Sequence, residues 1–294
     1  MEIDSRYVGM RSKPLTISLS PRQAMNYAAA LGDANPHYMD DTRDGGIVAP
    51  PMLAVALTWP LSSRFDLYWQ DTGLPEEALQ RQVHYNESLV WKRPIQPDES
   101  LAICGEIVSM SPHASGTLIT MRYDASASDK TLVFTEYISG LLRDVILSDG
   151  GRKTDRPPAI AAAPEAEVDC WETEIAIDPL AAHVYDGCTD IVFPIHTSAA
   201  FAGLVGLPGP IYQGTATLGL AVREILNREG GGNPAALKEV HCGFRGMVFP
   251  GTAITVRVSG RERRGREQIL YFDVVNESGG HALKYGRLHL TAPA

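Results

Sequence analysis

Apolar and polar residues alternate, or β-favouring residues cluster, in six stretches of this chain, three in each half. They are 101–108, 117–123 and 131–138, then 253–258, 267–275 and 282–290. A period of two sends successive side chains to opposite faces, so each half is predicted to end in a meander of strands. Ahead of the second meander the period changes. Over 214–226, Leu218, Val222, Ile225 and Leu226 form a stripe at helical spacing, while Gly214, Ala216, Gly219 and Ala221 keep another side thin. A glycine inside an exposed helix costs about 1 kcal/mol relative to alanine, so Gly219 predicts a close approach. The economical picture is a helix lying on the concave face of a curved antiparallel sheet.

The pattern occurs twice. Tyr27-Ala-Ala-Ala-Leu-Gly-Asp-Ala-Asn-Pro-His-Tyr38 is echoed by Tyr185-Asp-Gly-Cys-Thr-Asp-Ile-Val-Phe-Pro-Ile-His196. Downstream, 46–57 matches 210–221, and the proline-marked 93–98 matches 244–251. Three matches in the same order point to a duplication with unequal copies. Around residues 149–168, Gly, Pro, Ala and charge mix without either period, which predicts a linker. The chain therefore divides into an amino-terminal unit 1–150, a linker 151–167 and a carboxy-terminal unit 168–294.

With 294 residues, 44% hydrophobic and 21% charged, the chain has the composition of a globular protein with two real cores. No apolar run nears the roughly 20 residues of a membrane span. Acids near the first residue, where a secretory signal has bases, predict a cytoplasmic protein. Cys104, Cys170, Cys188 and Cys242 form no CxxC pair and are too few for a disulfide framework. A net charge of −9 argues against nucleic acid, yet leaves room for a local basic pocket. The histidines form no HxH or HExxH pair, so no metal is expected.

These motifs resemble the MaoC-like family of R-specific enoyl-CoA hydratases and dehydratases, in its double hot-dog form. The resemblance covers nearly the whole chain. It implies an α+β fold of two tandem hot-dogs, each a curved antiparallel sheet around a central helix. The family motif runs from an aromatic residue to Gly-Asp-x-Asn-Pro-x-His, then to a His-Gly that opens the helix. The first copy keeps Gly32-Asp33-Ala34-Asn35-Pro36 but has Tyr38 in place of histidine, with His37 one position early. The second keeps Pro194-Ile195-His196 with Asp190 upstream, one residue further from the histidine than the motif has it, and Phe193 in place of asparagine. Gln213-Gly214 stands where His-Gly is usual, and alignment through Ile47 and Ile211 sets Pro50 opposite Gly214.

Each departure has a chemical consequence. The amide of Gly214 at a helix start is unpaired and favoured by the helix dipole, whereas proline has no N–H. The resemblance thus implies one active site per chain, in the second half: Asp190 as base and His196 as proton donor sharing a water, Gly214 as oxyanion donor, and Gln213 as its neighbour in substrate binding. Asp33 and Asn35 are expected to hold a loop. Arg245 could approach a CoA phosphate, and Arg261–Arg266 reads most simply as an exposed hairpin turn. The implied reaction is reversible hydration of a 2-enoyl-CoA to the 3-hydroxyacyl-CoA, with no cofactor beyond the CoA of the substrate. Thioester hydrolysis, or acyl-thioester binding without turnover, stays open on the same fold. The two hot-dogs are expected to pair within the chain, and a homodimer is left open.

Overall fold

The computed structural model describes residues 1–69, 73–155, 157–158 and 170–291. The first half supplies β1 (Leu15–Ser18), β2 (Gln82–Trp91), β3 (Ser100–His113), β4 (Gly116–Ala127) and β5 (Leu132–Arg143). The second supplies β6 (Trp171–Ala176), β7 (Leu237–Phe244), β8 (Ala253–Arg264), β9 (Glu267–Asn276) and β10 (His281–Thr291). They form one antiparallel sheet in the order β1-β3-β4-β5-β2-β7-β10-β9-β8-β6, with the short strand Arg152–Lys153 added to β3. Read outward from the β2–β7 seam, the two halves repeat each other strand for strand. At the seam Ser88 faces His241, and Ser88 Oγ lies 3.2 Å from His241 Nδ1. This is the tandem hot-dog arrangement.

Four helices matter to the site: α1 (Pro21–Ala30), α2 (Ala54–Ser63), α3 (Ala181–Thr189) and α4 (Gly214–Glu229). α1 starts on a reciprocal Ser20–Gln23 capping box with Pro21 in its first turn, where a missing N–H costs nothing. The central helix α4 runs three residues past the predicted 226, and its stripe of Leu218, Val222, Ile225 and Leu226 is buried. Gly219 meets the close approach expected of it. A Cβ there would lie 2.8 Å from Cδ1 of Leu31, a residue of the other half. α1 and α3 also pack across the halves, with Tyr27 Oη 3.0 Å from Tyr185 Oη and the rings edge to face.

Much of the predicted linker 151–167 lies outside the described residues, but Arg152 and Lys153 belong to the first-half sheet. The arginine-rich segment needs a correction. β8 continues through Arg264 and turns at Gly265, which has a φ of +63°, while Arg261 is buried and paired with Glu229 at 2.9 Å. Among the described residues no helix is long and apolar enough to cross a membrane, and Cys104, Cys188 and Cys242 are free thiols.

Candidate active site

Backbone hydrogen bonds repeated in the two halves fix which residues correspond. Val48 N donates to His37 O as Ile211 N donates to Ile195 O; Ala49 N donates to Ile95 O as Tyr212 N donates to Val248 O. Tyr38 therefore matches His196. One step on, Pro50 (φ −53°, ψ 135°) matches Gln213 (φ −60°, ψ 133°), both just ahead of a helical turn. The residue opposite Gly214 is thus Pro51, one position beyond the Pro50 expected from sequence. Since Pro51 also lacks an N–H, the first half still has no counterpart to the Gly214 donor.

The same register moves the acid. Gly32 and Asp190 both adopt the left-handed conformation just past α1 and α3, at φ +61° and +56°. Asp190 fills the glycine position and is exposed, while the counterpart of Asp33 is the buried Ile191. The extra residue counted between acid and histidine disappears, because Tyr27 to Pro36 and Tyr185 to Pro194 have equal length. The carboxylate that acts on His196 is Asp186, one helical turn before Asp190. Asp186 was missed because it belongs to no motif. Equal spacing from tyrosine to proline was the signal that Asp190 had been paired with the wrong residue.

His196 sits in a short 3-10 turn, Pro194–His196, and its Nδ1 lies 2.9 Å from the carbonyl oxygen of Ile211. A carbonyl only accepts, so Nδ1 carries the proton and Nε2 is left basic. Burial lowers the imidazole pKa; the bond to Ile211 and the charge of Asp186 act against that. Burial in turn raises the pKa of Asp186, opposed chiefly by His196 and His183. His196 lines a hollow of about 460 Å³ whose walls include Pro179, His183, Pro208, Pro210, Phe249 and Pro250. The prolines make that rim stiff.

Gly214 begins α4 three residues after Ile211, so its N–H lies outside the helix's own ladder. Its lack of a side chain is needed, because a Cβ would come within 2.9 Å of the Phe244 ring. Gln213 is buried and donates through Nε2 to Ala182 O at 2.9 Å, which ties α3 to the start of α4; this is a positioning contact. Arg245 spans the seam, donating to Tyr85 O, Phe244 O and Asn86 Oδ1 with its guanidinium 4.1 Å from the Tyr85 ring centroid.

A larger hollow, about 620 Å³, lies at the first-half motif between residues 32–37 and the end of α4. Size does not make it the reacting centre, because its groups are otherwise engaged. Asn35 donates to Gly232 O and Asn227 Oδ1 and accepts from His37 N. His37 lies beside Arg43, which together with burial lowers its pKa. Tyr38 is buried. Asp33, with burial raising its pKa, has no imidazole partner among the described residues.

Comparison with known proteins finds a match in each half. Residues 160–280 match the MaoC like domain, and residues 6–133 match the FAS1-like, dehydratase domain region. The chain is 26% identical to enoyl-CoA hydratase ChsH3 of Mycobacterium tuberculosis over 85% of this chain and 87% of that protein. Its fold is similar to a MaoC-like dehydratase from Phytophthora capsici, with a TM-score of 0.82 at 22% identity over 96% of each chain. It is also similar to a Mycobacterium tuberculosis protein described as having a double hotdog fold, with a TM-score of 0.64 at 15% identity over 97% of this chain and 96% of that one.

Proposed function

We propose, for a chain that belongs to the MaoC-like dehydratases in their double hot-dog form, the reversible hydration of a 2-enoyl-CoA to its 3-hydroxyacyl-CoA, in the R configuration. The observation that carries this reading is His196, oriented by its bond to Ile211 O with Nε2 left basic, while the Gly214 amide opens α4 three residues after that same Ile211. Because Ile191 stands at the position of the motif's aspartate, opposite Asp33, one imidazole serves both proton steps.

In hydration, Nε2 of His196 takes a proton from water while the oxygen adds to carbon three of the thioester. The π electrons move through carbon two onto the thioester oxygen, and the enolate charge is held by the Gly214 N–H at the positive end of α4. The imidazolium, favoured by Asp186, then returns the proton to carbon two. Dehydration runs the same steps backward. No cofactor beyond the CoA of the substrate enters the balance.

The test is a panel of enoyl-CoA esters with the purified protein, following the ultraviolet absorbance of the conjugated double bond and the release of free thiol in parallel. Loss of the double bond without thiol is expected. Thiol release would make the protein a thioesterase, and binding without either signal would make it an acyl-thioester carrier.

A further inference from the structure

Glu87 of β2 and Glu136 of β5 are buried in the interior of the first half and take no part in the hydration described above. Among the described residues neither oxygen of Glu87 nor Oε2 of Glu136 accepts a well-formed hydrogen bond, and the two carboxyls face each other. Two acceptors in contact bond only when one carries a proton. Around them stand His84, with Nε2 3.0 Å from Glu87 Oε2, and Thr58 of α2, which reaches Glu136. Tyr27, Tyr185 and Cys242 are close enough for their ionisation to be disfavoured by these two glutamates. Among the described residues the ion-pair partner within reach of Glu87 is His84 rather than a Lys or Arg, and burial raises both carboxyls well above the usual carboxylate range. The cluster is a buried group of two carboxyls and an imidazole, with burial favouring the uncharged forms.

The cluster touches the start of α4 through packed side chains. The Phe244 ring lies against Gly214 and packs at a tilt on His84 with centroids 4.2 Å apart, and His84 touches Glu87. Tyr185 donates to Thr215, the second residue of α4, at 3.2 Å. An acyl chain whose thioester oxygen rests on the Gly214 N–H would meet Phe244 first and His84 with the two glutamates next. Replacing buried polar groups by well-packed apolar ones is often neutral or stabilising, so stability alone does not call for this cluster.

We propose that the acyl chain of the substrate carries a neutral oxygen, a hydroxyl or a ketone, that hydrogen-bonds to Glu87, Glu136 and His84. A carboxylated chain fits less well, since burial there favours uncharged forms. This inference rests on the hydratase reading.

The experiment compares 2-enoyl-CoA esters with a hydroxyl or keto group at successive carbons against plain chains of the same length. The wild-type protein should favour one oxygenated position by about 10 to 100-fold in kcat/KM, because a site built to bond a substrate oxygen discriminates against analogues without it. The double variant Glu87→Leu/Glu136→Leu should lose the preference, its kcat/KM ratio of oxygenated to plain chains falling to about one. Hydration of plain chains with no preference at any position overturns this inference and leaves the hydratase reading standing. Absence of hydration for every ester overturns both. If the double variant does not fold, the wild-type preference decides alone.

Discussion

Burial depresses the pKa of His196, and Asp186 partly restores it, so a single carboxylate helps set the pH at which the imidazole is a base. Asp186→Asn removes a raising influence. The acid limb of kcat/KM against pH should therefore move to lower pH, and the rate should fall by about 10-fold or more as the imidazolium loses its partner. Asp190→Asn should leave the profile within a few-fold of wild type. A collapse of rate in Asp190→Asn alone would return the acid to the position expected from sequence. The pairing misled because a left-handed position accepts Gly or Asp, and residue identity does not disclose φ. Gly214 is a second case. Its equivalence with a proline suggests that Gly214→Pro folds, but the Phe244 ring leaves no room for added atoms. In a Phe244→Ala background the proline should fit, and hydration should fall about 100 to 1,000-fold below Phe244→Ala itself through loss of the oxyanion donor. Equal rates in the two proteins would place that donor elsewhere.

Elements differ in how openly the sequence declares them. The six strands of the two meanders were legible because one face of each is apolar. β2 was not, since His84, Asn86, Glu87 and Ser88 break the alternation, and one of those polar residues, Glu87, is the most deeply buried carboxyl of the interior cluster. β7 was hidden in the same way by Lys238, Glu239 and His241, with register shifts against β10 blurring the period. Both strands form the seam, so the element that joins the halves was the one least visible. α4 was legible down to its glycine. Gly219→Ala, which would stabilise an open helix, should here destabilise by about 1 to 3 kcal/mol, because the new methyl overpacks against Leu31. Thermal denaturation measures this, and a raised midpoint would show that Leu31 moves aside without cost.

At the scale of the whole molecule, one sheet joins two unequal halves: the first holds a buried polar interior, the second the groups proposed to react. That interior has a pH signature. Glu87 and Glu136 hold their protons far more tightly folded than the ordinary 4.5 of the unfolded chain. Their contribution to stability is therefore complete below that value and is lost as pH rises towards their folded values. Glu136→Gln, which cannot ionise, should raise the denaturation midpoint relative to wild type near neutral and alkaline pH, with the difference shrinking below about pH 5. A difference independent of pH would mean that Glu136 is ionised in the fold. The duplication was legible in three matched segments, but the choice of working half rested on a histidine and an amide whose surroundings only coordinates supply. That choice is tested most directly by measuring kcat/KM for enoyl-CoA hydration in His196→Ala beside Asp33→Asn, with both proteins shown to be folded. His196→Ala should lose about 100 to 10,000-fold and Asp33→Asn no more than a few-fold; ordinary turnover in His196→Ala, with Asp33→Asn inactive, would contradict the account.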